Sequence, residues 1–129
     1  MEHVISSYLR HVWDKNDWLY EEKHGFRPGY SCESQAITAC QDIADSMDNG
    51  DSIDAIVIDF SKAFDLVPHD RLLMKIANSG VDSRVFAWVK EFLFGRTQRV
   101  IAGGQLSEEF RVTSGVPHGS PFGPVLFLA

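Results

Sequence analysis

The stretch Ile53-Asp54-Ala55-Ile56-Val57-Ile58-Asp59-Phe60-Ser61-Lys62-Ala63-Phe64-Asp65 decides how this chain is read. Ala55 to Ile58 are apolar without a break, the pattern of a strand buried on both faces. A charge is tolerated in such a strand only at its end. Asp59 stands at that end, and a helix-like segment follows at once. A carboxylate there sits on a rigid element beside a cleft, a common place to hang a divalent cation. By itself Asp59 also fits a strand-end aspartate that caps the next turn, which is the more frequent case.

Toward the N-terminus, Val4, Ile5, Tyr8, Leu9, Val12 and Trp13 keep helical spacing. A turn-rich segment, His24-Gly25-Phe26-Arg27-Pro28-Gly29-Tyr30, comes next. Ser31 is placed to cap a second helix whose apolar face is Ile37, Cys40, Ala44 and Met47, and Asn49-Gly50 stops it. Toward the C-terminus, Pro68 interrupts the segment after Asp59. A helix from about Asp70 to Ser79 turns Leu72, Leu73, Ile76 and Ala77 to the core and ends at Gly80. Asp82 caps the next helix, with Val85, Phe86, Val89, Phe92 and Leu93 as its apolar face and Gly95 at its end. Gln98–Ala102 and Glu108–Thr113 read as strands, with Gly103-Gly104 near the turn. A further apolar helix is expected from near Ser120, with no capping residue. The content is α/β (α+β).

The chain has 129 residues, 44% hydrophobic and 23% charged, in the range of one folded domain or a piece of one. No apolar run approaches the roughly 20 residues that span a bilayer, so no membrane partner is expected. Met1-Glu2-His3 lacks the basic start of a signal peptide. Cys32 and Cys40 on one helix would stand about 12 Å apart, beyond disulfide reach. Free thiols fit an intracellular setting, cytoplasmic or nuclear. A net charge of −6 argues against a broad basic surface for nucleic acid. Arg84, Lys90, Arg96, Arg99 and Arg111 nevertheless fall in one stretch that can form a local positive face.

Two further segments carry candidate chemistry. In His24–Gly29, Arg27 lies between a bulky aromatic residue and a rigid proline, so its backbone is restrained. A guanidinium held this way suits bidentate phosphate contact; a solvated arginine on a surface loop is the plainer alternative. In Ser114-Gly115-Val116-Pro117-His118-Gly119-Ser120, two glycines and a proline make a sharp turn ahead of a helix. Its backbone N–H groups can approach an anion, or it is a simple loop-to-helix turn.

Taken in order, Phe26-Arg27-Pro28-Gly29-Tyr30-Ser31, Ile58 to Val67 and Ser114 to Ser120 resemble successive blocks of reverse transcriptases. The match is nearest to those of non-LTR (LINE-type) retrotransposons and covers nearly the whole chain. The resemblance implies a right-hand polymerase architecture, with helical fingers over about 1–50 and a partial palm over about 51–129. It implies a parent activity of RNA-directed DNA synthesis, a nucleotidyltransfer from deoxynucleoside triphosphates on an RNA template and DNA primer. Two Mg²⁺ ions would serve the complete parent enzyme. Asp59 would be the catalytic aspartate that binds metal, with the backbone carbonyl of Phe60 on the same ion. Phe64 would be the gate that crowds a ribose 2′-hydroxyl. Arg27 would grip the incoming triphosphate, and His118 and Gly119 would line the nucleotide pocket. Asp65 is read as bracing its turn rather than binding metal.

The chain also departs from that family. It has no Asp-Asp pair, and it is read as truncated before the catalytic hairpin that carries one. Histidine replaces the usual glutamine at His118, which changes the donor pattern. Phe122 replaces a usual leucine, a change that in a full core costs about 1–3 kcal/mol. The isolated chain is therefore expected to be inactive, with a decayed element copy as its simplest origin. The alternative is a non-enzymatic RNA- or protein-binding relic that uses the Arg84–Arg111 stretch. Self-association through the incomplete palm is expected.

Overall fold

The computed structural model describes residues 1–129. Five helices and four very short strands follow one another: α1 (Glu2–Lys15), α2 (Cys32–Asp48), α3 (His69–Asn78), α4 (Ser83–Phe94), β1 (Thr97–Gln98), β2 (Ile101–Ala102), β3 (Gln105–Leu106), β4 (Phe110–Arg111) and α5 (Phe122–Leu128). α1, α3, α4 and α5 form the packed body, with α3 against α4 and α1 against α5.

The body closes around apolar side chains that recur at helical spacing. Leu9 and Trp13 of α1, Ile76 of α3, Val89 and Leu93 of α4, and Phe122, Val125 and Leu126 of α5 are fully or almost fully buried. The Trp13 indole N–H would be costly to bury unpaired. It donates to Ser79 Oγ at 2.8 Å, and that hydroxyl donates to the Ile76 carbonyl at 2.8 Å. Asp82 caps α4 by accepting from the Arg84 N–H at 2.9 Å. Ala77, expected on the core face of α3, is exposed, and His69 is buried in its place.

Phe122 is not crowded. Its ring meets Trp88 and Phe92 edge-on at centroid distances of 5.4 and 5.1 Å, the ordinary range for such pairs. Gly123 is the tight position: a Cβ there would lie 2.0 Å from the Pro117 carbonyl oxygen. The start of α5 is not bare either. Ser120 Oγ accepts from the Phe122 N–H at 3.0 Å and donates to Glu2 Oε2 of α1 at 2.5 Å.

Residues 96–112 make one irregular hairpin. β1 pairs antiparallel with β4 and β2 with β3, around the turn at Gly103-Gly104. Both glycines have positive φ, 58° and 79°, as a two-residue hairpin turn requires. The expected Gln98–Ala102 strand is split between β1 and β2, the expected Glu108–Thr113 strand shrinks to β4, and β3 forms outside either range; Ser107 Oγ accepts from the Val100 N–H where regular pairing lapses.

Two expectations fail outright. Residues 51–60 form no strand and all are exposed; Val57 is 93% exposed. A strand needs a neighbour to take its N–H and C=O groups, and no segment of this chain pairs with it. α2 forms as expected, with Ser31 and Ser34 in a reciprocal capping box, yet buries no residue. Ile37 and Met47 are 69% and 66% exposed. Its amphipathic spacing is real, but no element packs on its apolar face.

Candidate functional site

The best-formed constellation is built around Phe64. The turn carrying it is locked to the loop at 114–116 by backbone bonds: the Val116 N–H donates to the Phe64 carbonyl and the Gly115 N–H to that of Val67, both at 2.8 Å. Ser114 Oγ adds a bond to the Asp65 carbonyl at 3.0 Å. Gly115 is required here. Its φ is +86°, and a Cβ would lie 2.8 Å from the Asp65 carbonyl oxygen. Buried His69 braces the same loop by donating from Nε2 to the Gly115 carbonyl at 2.8 Å.

This docking brings three sequence-distant segments onto one ring. Phe64 stacks on Phe127 of α5 with centroids 4.5 Å apart, meets Phe26 edge-on at 5.5 Å, and lies 5.2 Å from the His118 imidazole. His118 Nε2 in turn contacts Asp65 Oδ1 at 3.0 Å. Asp65 thus braces the turn, as expected, and does so partly through His118. Gly119 has φ +74° and open space beside its Cα, so a ligand can approach its backbone closely.

Arg27 adjoins this group through its neighbour Phe26. Its guanidinium is half-buried, donates from Nη1 to the Tyr20 carbonyl at 2.8 Å, and lies over the Tyr30 ring at 4.6 Å. Nε and Nη2 make no hydrogen bond within the chain. Lys23 is close by, its pKa lowered below the usual lysine value, first by burial and then by the charges of Lys75 and Arg27.

Asp59 and Phe60 are not part of this group. Both lie on the exposed 51–60 segment, and the Phe60 ring is 74% exposed. No three His, Cys, Asp or Glu side chains converge anywhere in the structure. The residues present therefore do not make a two-ion centre, which takes several carboxylate oxygens around the metals.

The basic stretch is also sorted by the fold. Arg84 pairs with Asp82 at 3.2 Å and Arg99 with Glu109 at 2.6 Å. The Arg99 hydrogen bond is the first cause of a lowered Glu109 pKa. Arg96 and Arg111 have no carboxylate partner. They line a polar cavity of about 480 Å³ that Asp65 and His118 also line.

Sequence reasoning did not single out Phe127, His69 or the Asp65–His118 pair. Phe127 gave no signal because it sits among the apolar residues of α5. His69 reads only as a polar residue at a helix start. The Asp65–His118 contact spans 53 residues, and no local pattern encodes it.

Three comparisons bear on what this arrangement belongs to. The family model described as reverse transcriptase (RNA-dependent DNA polymerase) matches residues 1–129. The probable RNA-directed DNA polymerase from transposon X-element of Drosophila melanogaster is 32% identical over 126 residues, 98% of this chain. Its counterpart from transposon BS is 29% identical over 126 residues, and the RNA-directed DNA polymerase from mobile element jockey is 30% identical over 127, both again covering 98% of this chain. The chain spans 14% of the length of each of these relatives. No helix is long and apolar enough to cross a membrane. No solved structure gives a significant match. With the family model matched from end to end, and with these relatives, the chain belongs to the reverse transcriptase family and is related to non-LTR retrotransposon polymerases.

Proposed function

We propose that this chain is the nucleotide-facing part of an RNA-directed DNA polymerase of the non-LTR type, with about 1–50 as fingers and about 51–129 as part of the palm. The observation that carries this reading is the convergence on Phe64 of Phe26, His118 and the 114–119 loop. Arg27 grips the triphosphate with its unused guanidinium donors. Phe64, fixed against Phe127, crowds the ribose 2′ position. His118 and Gly119 line the base and sugar side. Asp59 and the Phe60 carbonyl would hold one Mg²⁺ only where further carboxylates and a strand partner were supplied to them, and the ion would there polarise the phosphate. The exposed Ile56–Ile58 run supports self-association, since an unpaired extended edge is a template for pairing.

On its own the 129-residue chain does not polymerise. Asp59 is a ligand without partners, and loss of metal ligands abolishes two-ion phosphoryl transfer. Primer extension with Mg²⁺ on an RNA template and DNA primer tests this, and the expected result is no template-dependent product. Extension that disappears in Asp59→Ala overturns it. A second reading, an RNA-binding chain without catalysis, is favoured by one observation, the unpaired state of Arg96 and Arg111.

A further inference from the structure

Two features that the fold leaves open are complementary. The first is the backbone of residues 52–60, none of which makes a backbone–backbone hydrogen bond. The run Ile53-Asp54-Ala55-Ile56-Val57-Ile58-Asp59 is rich in β-branched residues and holds no glycine or proline, so it is ready to pair as a strand. The second is a groove of about 400 Å³ at the end of this run. Phe60, Leu66, Val67, Leu72, Leu126 and Phe127 make it mostly apolar, and Arg71 and Lys75 stand among them. Charge decides what fits it. Arg71 pairs with no carboxylate, and Asp54 and Asp59 of the run pair with no cation. Lys75 donates only to the Ala129 carbonyl, which leaves its charge unmatched as well. The groove therefore suits an extended apolar segment that carries carboxylates, and the run is such a segment.

We infer that the groove and the run form an interface between two copies of this chain, in which the two runs pair antiparallel about a two-fold axis at Val57. The interface rests on the self-association reading and gives it a surface. A chain's own run is poorly placed to fill its groove. Phe60, where the run ends, already belongs to the lining, and Asp54 in an extended run lies roughly 20 Å back from it. An antiparallel partner runs the other way and brings its carboxylate to the groove. With Val57 opposite Val57, Ile56 of each run faces Ile58 of the other. The partner's Asp54 then falls opposite Phe60, beside Arg71. A shift by one residue sets Asp54 opposite Asp59, and like charges directly across a ladder are destabilising. A two-fold contact uses the same patch twice, so the pairing closes at two copies. It joins chains that are already folded and falls apart on dilution, so it adds nothing to the stability of the dilute single chain.

The experiment is sedimentation velocity of the full chain over a dilution series, in wild-type form and in two charge-reversed forms. The wild type is expected to pass from monomer to dimer as concentration rises. Asp54→Arg and Arg71→Asp, both at exposed positions, are each expected to weaken dimerisation roughly tenfold, because each sets like charges together at both ends of the dimer. Mixed in equal amounts, the two variants are expected to dimerise as the wild type does. Every contact between positions 54 and 71 in the mixed dimer joins opposite charges, and only a contact between copies recovers in this way. Circular dichroism verifies that each variant retains its helices. The register is read in a Cys32→Ser/Cys40→Ser chain, which removes the two exposed thiols. There Val57→Cys is expected to oxidise to a linked dimer several-fold faster than Ala55→Cys, since position 57 faces itself within disulfide reach. Equal rates overturn the register. Dimers that ignore both charge reversals overturn the groove interface and leave self-association standing. Variants that stay monomeric when mixed overturn the pairing of Asp54 with Arg71 between copies. A wild-type chain that is monomeric at every concentration overturns the interface together with the self-association reading. Slow amide exchange over residues 53–58 in that monomer assigns the groove to the chain's own run.

Discussion

The packed body and the arm formed by α2 and residues 51–60 obey the same sequence rules and end in opposite states. Both carry apolar residues at regular spacing. In the body those residues meet partners: Trp13, Ile76, Val89 and Phe122 are all at 0% exposure. In the arm Ile56, Val57 and Ile58 stand at 85%, 93% and 72% exposure. The difference teaches that periodicity states a demand for burial and does not meet it. It also divides the candidate chemistry. Phe64, His118 and Gly119, which would face a nucleotide, belong to the body, whereas Asp59, which would face a metal, belongs to the arm.

The largest test of that contrast is Trp13→Ala. It removes a fully buried ring and leaves the Ser79 hydroxyl without its donor. The expected loss is about 3–5 kcal/mol in urea unfolding followed by far-UV circular dichroism. A loss below about 1 kcal/mol, the level of an ordinary mutation, would mean that the body is as loosely held as the arm.

A middle-sized effect lies where the body meets the Arg27 loop. Lys23 donates to the Leu128 carbonyl of α5 at 2.5 Å. Its pKa is lowered from 10.5, chiefly by burial and then by the charges of Lys75 and Arg27. Between that lowered value and 10.5 the unfolded chain holds the proton more often than the folded one. Stability therefore rises as pH climbs through this alkaline window, until other groups titrate. Thermal melts at stepped alkaline pH should show the rise, and Lys23→Met should flatten it. A wild-type melting temperature that falls steadily over the same window contradicts the assignment.

The smallest expected effect is the most pointed. Val57→Ala should change stability by no more than about 0.5 kcal/mol, as for an exposed position. A cost comparable to a core truncation, measured on the same urea curves, would show that the 51–60 segment is packed in solution and that the contrast drawn here is false.

What was legible in the sequence follows the range of the interaction that fixes each feature. The caps at Ser31 and Asp82 involve residues no more than three positions away, and both stand as read. The glycine turn at 103–104 depends on its own φ values and also stands. The 53–59 strand depends on a partner, and local pattern carries no information about whether one is present. The same limit hid the Asp65–His118 contact and the stacking of Phe64 on Phe127, which join residues brought together only by the fold. For the Phe64 group, the segments were identifiable from their motifs, but which side chains touch was not.

The reciprocal cap at Ser31 has a mechanical consequence. α2 has 17 residues, so at 1.5 Å per residue it is a rod about 25 Å long. Its near end is tied down: Ser34 Oγ contacts His24 Nδ1 at 3.0 Å, and the His24 ring meets Tyr30. Its far end has no neighbour. A pivot of about 10° at the cap swings the Asp48 end by about 4 Å over a rod of that length. The chain returns from that end to Phe64 through the exposed residues 51–60. α2 is in effect a lever anchored at its capped end, with residues 51–60 as the strap between its free end and the Phe64 turn.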